Sequence, residues 1–442
     1  MASSTRAVPA RPLPPLGVAF VRWSFARGGC WRGYWLLASI YLVVVADLPA
    51  SQLVLIGAAQ AAVVLVAELP AGVYADAAGR RRCLVVAHIV TAGGMVMLGL
   101  VTSFPLLALS QGMCGLGWAF ASGADVAWIT DELDDPGAAA RVLAVRARWE
   151  LVGAAAGLVG FGGLARVTGL RTGIVVSGLL MLALGAVVVL RFPERRVPAP
   201  DARRRWPAGV SLLGGALRLA RHDREILLVT AAWLLVSGGG EAYGRLLQKQ
   251  LIGLGFGAGG DPVLWFTGLG LATLAVGTVA LRAVEDRIDD EGVAQRTIVA
   301  WCAAGGVGLA LFATAADARY AIAGVVLATG ALSPGAVVRA MTEIWVNRRT
   351  TSGVRATVHS LLSLAEHVGE IAFGTALAAV AAAGGLTASM LGAAGLLAGA
   401  GGLVSRARPR TRGPGCRGCG AGRRGARARP ATRPASRASR GD

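Results

Sequence analysis

The chain has 442 residues, 55% of them hydrophobic and only 16% charged, with a formal net charge of +19. A soluble domain is about half apolar and about a quarter charged, so this balance excludes an ordinary water-soluble globule. Apolar runs of the roughly 20 residues needed to cross about 30 Å of hydrocarbon recur along the chain, without the period-2 alternation of a membrane barrel, which leaves helices as the spanning elements.

In chain order, residues 1–30 carry Arg6, Arg11, Arg22 and Arg27 among prolines, with no compact apolar stretch leading to a cleavage site. They read as a basic cytoplasmic segment and not as a signal peptide. Twelve spans are expected, at 31–48, 51–75, 83–103, 105–130, 148–166, 172–190, 226–246, 263–284, 297–315, 320–341, 357–381 and 386–404. Turn chemistry separates them, as at Asp47-Leu-Pro49, Ser103-Phe-Pro105, Asp134-Asp-Pro-Gly137, Asp261-Pro262 and Ala383-Gly-Gly385. The spans form two six-helix halves, 31–190 and 226–404, joined by a linker at 191–225 and followed by a tail at 405–442.

Excess Lys and Arg stays on the cytoplasmic side of a membrane. With the N-terminus inside, the great majority of the 44 basic residues fall in inner segments, and the bias survives removal of the tail. Both termini are therefore expected in the cytoplasm, with the chain multi-pass in the inner (plasma) membrane. The positive charge follows from topology, so no nucleic-acid partner is required. In the linker, Gly209–Arg221 places apolar residues at helical spacing beside arginines, which suits an amphipathic helix on anionic lipid headgroups. The tail from Arg406 is rich in Arg, Gly, Pro and Ala and is expected to be disordered, either inert or in contact with headgroups. Cys416 and Cys419 form a lone CxxC without a second pair or a histidine cluster, so no metal is expected.

A weak repeat links the halves. Ser122-Gly-Ala-Asp-Val-Ala-Trp-Ile-Thr-Asp131 in span 4 resembles the segment Ser333 to Glu343 in span 10, each ending in Thr and an acid. Parallel repeats of this kind place a substrate site near mid-membrane between them. Between spans 2 and 3 stands Gly72-Val-Tyr-Ala-Asp76-Ala-Ala-Gly79-Arg80-Arg81-Arg82. This segment resembles the GxxxDxxGR[RK] signature of the major facilitator superfamily, with Ala77 where a basic residue is usual. The resemblance implies an all-α integral membrane fold, alternating access, and a loop (Gly72, Asp76, Gly79, Arg80, Arg81) that latches the cytoplasmic side against span 11. On the residues themselves, Gly72 would admit a close helix neighbour and Gly79 a sharp turn.

Other motifs of the superfamily are partly kept. Span 4 has Gln111-Gly112 and Gly115 but Ala108 in place of an arginine. Span 5 has the glycines of an exporter motif (Gly153, Gly157, Gly160, Gly162, Gly163) without its proline, and Leu281 stands where a second-half aspartate would fall.

Ionisable groups at membrane depth usually face a cavity or a partner. Asp47 either ends span 1 or acts in the site, and Glu68 serves the latch or transport. Asp125, in a span that the resemblance places along the cavity, is expected to function in proton or substrate handling. Glu241 follows Gly238-Gly-Gly240 and precedes Arg245 by four residues, so acid and base share a helix face, while the glycines suggest a bending gate. Glu366, His367 and Glu370 cluster in span 11, where the histidine either titrates or bonds a neighbouring helix. His88 and Arg339, near inner ends, read as structural or snorkelling.

Nucleophile elbow, HExxH, phosphate loop and DxDxDG patterns are not found. An enzyme is not expected, nor a cofactor or ATP drive. The expected activity is secondary transport of a small organic solute by a monomer, as efflux coupled to protons. Uptake, facilitated diffusion, or a non-transporting sensor on the same scaffold are the alternatives. Reporter tags at Asp134, Gly209 and the C-terminus should be cytoplasmic and one at Gly259 external, measured by accessibility to an impermeant reagent. An external C-terminus would break the two-half arrangement.

Overall fold

The computed structural model describes residues 12–195, 223–256, 261–285, 291–332 and 355–407. These form the helices α1 (Pro15–Val44), α2 (Ala50–Ala78), α3 (Arg80–Leu100), α4 (Phe104–Ala121), α5 (Ala124–Leu133), α6 (Pro136–Thr168) and α7 (Leu170–Arg191). The second half holds α8 (Arg224–Gly253), α9 (Pro262–Glu285), α10 (Glu291–Ala313), α11 (Ala318–Leu332) and α12 (Arg355–Ser405). No strand occurs among the described residues. The Ser333–Glu343 repeat, Arg339, residues 196–222 of the linker, the tail beyond Ala407 and its CxxC lie outside them.

The helix breaks follow backbone chemistry. Pro15 opens α1 where a missing N–H costs nothing. Asp135, Asp223 and Asp261 cap α6, α8 and α9, their carboxylates accepting backbone N–H bonds from Gly137 (2.8 Å), Glu225 (2.9 Å) and Val263 (2.9 Å). Gly123, in the left-handed region at φ 74°, splits one span into α4 and α5. Gly385 (φ 78°, ψ −176°) divides α12 into two antiparallel-capable arms. Among the described residues, nine helices are long and apolar enough to cross a membrane. These nine count α4 with α5 as one span; taking α12 as two and adding α1 and the shorter apolar α11 gives the expected twelve-span bundle of two six-helix halves.

One boundary differs. The helix expected to start at 31 begins at Pro15, and Phe20 and Trp23 are buried in an aromatic cluster with Trp128 and Phe192. The rings of Trp128 and Phe192 stack 4.1 Å apart, and Trp128 Nε1 donates to the Pro193 carbonyl at 2.9 Å. Arg22, Arg27 and Arg32 had lowered the hydropathy of this stretch, which hid its helix from an apolar-run criterion.

The first half packs α1 on α6 and α7, α3 on α4 and α7, and α2 on α4, while in the second α12 packs on α8 and α10. The halves meet where α2 runs along α12 and α8, and where α6 meets α9. The α1–α6 crossing explains two glycines of span 5: a Cβ at Gly153 or Gly157 would run into the backbone carbonyls of Phe25 and Gly29. Gly160 and Gly163 have no described atom within 4 Å of that position. Gly157→Val is therefore expected to destabilise the purified protein by about 1–3 kcal/mol through overpacking, seen as a lower thermal midpoint, whereas Gly163→Val should leave the midpoint near the parent value.

Candidate functional site

The site forms where α1, α2, α4, α8 and the first arm of α12 converge. One turn separates Glu241 from Arg245 on α8, so both point the same way. Arg245 Nε donates to Glu241 Oε1 at 2.7 Å, and Nη2 reaches across the halves to Gln60 Oε1 on α2, also at 2.7 Å. The guanidinium lies 5.1 Å from the ring centroid of Trp35, close enough for a cation–π contact. Gly57 of α2 makes the arrangement possible, because a Cβ there would occupy the position of the Glu241 carboxylate.

On α12, His367 Nδ1 lies 3.1 Å from Glu370 Oε2. One turn nearer the helix start, Ser363 Oγ donates to Glu68 of α2 at 3.1 Å. Gln60, Glu241, Arg245, Glu366, His367 and Glu370 border a cavity of about 450 Å³, to which α1 and α4 contribute Trp31, Trp35 and Trp118, whereas Ser363 and Glu68 lie outside its lining. Trp31 stacks on Trp35 (centroids 6.3 Å, 17°) and meets Trp118 edge-on (6.2 Å, 85°). A second lobe of about 430 Å³ shares Arg32, Glu241, Glu366 and Glu370 with the first and extends to Tyr243 and Thr329, whose hydroxyls are 2.8 Å apart. A cavity of this size, walled by aromatic faces with a few convergent polar groups, has the form of a small-molecule site.

At the Gly79 end, the signature loop ties helices of the first half together. Gly79 sits at φ 103°, a conformation closed to most side chains, and turns the chain from α2 directly into α3. Arg80 donates to the Ala127 carbonyl at 2.7 Å and pairs with Asp131 of α5. The Arg81 backbone N–H donates to Glu194 at 3.2 Å, and its guanidinium reaches the Val189 carbonyl of α7. Asp76 is half-buried in the last turn of α2.

The sequence profile of the Major Facilitator Superfamily matches residues 24–374. The chain belongs to the major facilitator superfamily. Among solved structures it is similar to the nucleoside transporter NupG, with 15% identity and a TM-score of 0.69 over 89% of this chain and 100% of that one. A bacterial homolog of the human lysosomal transporter Spinster, in an inward-facing and occupied conformation, aligns with 15% identity and a TM-score of 0.64 over 89% and 96% of the two chains. The POT family transporter PepTSo gives 13% identity and a TM-score of 0.69 over 89% and 98%. No curated protein matches at the level of sequence. The protein is thus a multi-pass membrane transporter of this superfamily and not an enzyme.

Within the superfamily fold, Glu241, Arg245, Glu366, His367 and Glu370 border one cavity. Asp125 does not join them. It is 5% exposed and held by Arg27 (3.2 Å) and Arg146 (2.7 Å), with Arg146 also bonded to Glu150 at 3.1 Å. These cations lie 5.3 Å from the rings of Trp23 and Phe20 respectively, so Asp125 locks α1, α5 and α6 and is not a lining residue of the cavity. Its expected place there failed because a carboxylate at membrane depth is as well served by a buried cation as by a cavity.

Asp47 is 90% exposed at φ 45°, beyond the end of α1, so it terminates a helix. The Gly238–Gly240 run does not break α8. A Cβ at Gly238 would lie 2.5 Å from Phe373 Cβ, so the glycine admits α12 at close range. Gly72, expected to admit a neighbour, has no described atom within 4 Å of a Cβ. The side chains that open α12, where the latch was expected to dock, lie outside the described residues. His88 is buried with Nδ1 2.7 Å from the Leu84 carbonyl, as a structural histidine would be.

Residues the sequence reading passed over are Arg32, Gln60 and the three tryptophans. Arg32 looked like the entry of a span starting at 31, and with α1 beginning at Pro15 it stands near mid-helix. Replacing Asp125 with Asn leaves two buried guanidinium groups without that counter-charge, so Asp125→Asn should lower unfolding stability by about 3–5 kcal/mol. Thermal denaturation of the purified protein measures this, and a midpoint like the parent's would refute the structural role.

Proposed function

We propose that the protein is a proton-coupled secondary transporter of a small organic solute, working as a monomer by alternating access in the plasma membrane with both termini cytoplasmic. One observation carries the reading: the carboxylates Glu241, Glu366 and Glu370, with His367, border a cavity built from helices of both halves. A carboxylate is far more costly to hold in a low-dielectric site than a carboxylic acid, so the protonation state of such a group responds to which side of the membrane the cavity faces. Arg245 links the same group to α2 through Gln60, which ties the charge of Glu241 to the contact between the halves.

Export in exchange for protons is the first reading of direction, after the partial likeness of the glycine-rich span 5 to an exporter motif. Uptake together with protons is the second reading. It is favoured by Arg32, a cation in both lobes beside these acids, because protonating an acid makes the cavity more receptive to an anion.

In proteoliposomes, Glu370→Gln and Glu241→Gln are expected to abolish accumulation driven by a pH gradient while leaving solute exchange at equal pH partly intact, since exchange needs the cavity and not net proton release. The sign of the gradient that drives accumulation separates export from uptake. Accumulation by both variants at the parent rate would remove these acids from the coupling.

A further inference from the structure

Each acid in the cavity already has an interaction. Glu241 is bonded to Arg245, Glu370 to His367, and Glu366 is not free either. Arg245 in turn is held by Glu241, Gln60 and the face of Trp35. Arg32 differs. It borders both lobes, its side chain is exposed to the cavity, and among the described residues it makes no hydrogen bond or ion pair. Its place near the middle of α1 (Pro15–Val44) puts this unpaired cation near mid-membrane, where an ionisable side chain ordinarily finds a partner or serves a pathway.

An arginine stays charged under all relevant conditions and presents a planar fork of donors that fits a carboxylate, sulfonate or phosphate through two parallel bonds. Trp31 is its chain neighbour and Trp35 follows one turn later, while Trp118 closes the aromatic wall from α4. Indole faces take flat apolar groups.

We infer that the transported solute is a small organic anion with a flat, largely apolar body: its acidic group is gripped by Arg32 and its body lies against Trp31, Trp35 and Trp118. This rests on the transport reading above and names the chemistry of the same cavity. A cavity of about 450 Å³ bounds the solute to the size of a drug-like molecule. The division of labour is then defined. Arg32 meets the solute, while Glu241 and the Glu366–Glu370 segment carry charge changes that the solute does not supply.

The test uses three probes with one body and different charge: 2-naphthoate, 2-naphthamide and 2-naphthylmethylammonium. Each is titrated at equilibrium into the purified full-length protein, with thermal stabilisation as the readout, because a ligand that binds only the folded state raises the midpoint. Naphthoate should bind about tenfold or more tightly than the amide and the ammonium, a ratio worth roughly 1.4 kcal/mol or more. Arg32→Gln should erase that preference with its unliganded midpoint unchanged, and Arg32→Lys should restore part of it.

Equal or tighter binding of the ammonium probe, absence of naphthoate binding at millimolar concentration, or an unchanged preference in Arg32→Gln would overturn the inference. Should Arg32→Gln fold poorly, the ranking of probes on the parent protein still decides. The two proposals fail separately: naphthoate binding without flux in proteoliposomes would remove transport and keep the anion site. Gradient-driven flux of another solute without naphthoate binding would do the reverse.

Discussion

Charge held at membrane depth governs how this bundle is put together. An ionised side chain facing hydrocarbon is expensive, so each one is paired, shielded by aromatic rings, or turned toward a water-accessible cavity. The chain solves this in two places with opposite results. At the Gly79 end of the first half, Arg27, Asp125, Arg146 and Glu150 neutralise one another among Phe20 and Trp23. That cluster makes α1, α5 and α6 one rigid unit. In the middle of the bundle, Glu241, Arg245, His367 and Glu370 are paired but border open volume.

The same constraint shapes the contacts between the halves. Gln60 accepts from Arg245, and Gly57 leaves room for Glu241, so the α2–α8 contact is built around a charged pair and not around apolar packing alone. At the Asp47 end the halves are held by exposed or lightly buried links: Lys249 to the Leu48 carbonyl at 2.8 Å, and Arg166 to Asp261 at 3.5 Å. Ion pairs in such settings contribute about 0–1 kcal/mol. They join the halves by side-chain contacts, whereas the glycine crossings at which a Cβ would run into a backbone carbonyl, such as α1 on α6 and α8 on α12, lie within each half.

The architecture was largely legible in the sequence, because bilayer thickness dictates span length and because turn residues such as Asp135, Asp261 and Gly385 end helices for local reasons. The start of α1 was not, since Arg22, Arg27 and Arg32 count against a span when read singly, although Arg27 is paired with Asp125 in the folded bundle. The site was legible in part. Glu241 with Arg245 and His367 with Glu370 are spaced by one helical turn, so local geometry exposes them. Asp125 misled because its partner Arg27 is 98 residues away, and the Gln60–Arg245 bond spans 185 residues. Arg32 escaped notice for the converse reason: it has no described partner, and its depth depends on where α1 begins.

Rocking of two rigid halves about the charged cavity is the central claim, and the distance between the α6 end and the α9 start reports on it most directly. Spin labels at the exposed positions Val167 and Leu264, in a background lacking other cysteines, flank the Arg166–Asp261 link. Distances measured by pulsed electron resonance in lipid nanodiscs at acidic and alkaline pH should divide between a short and a long population, with the balance shifted by pH in the parent and insensitive to it in Glu370→Gln. One distance, unchanged by pH in the parent, would contradict the account.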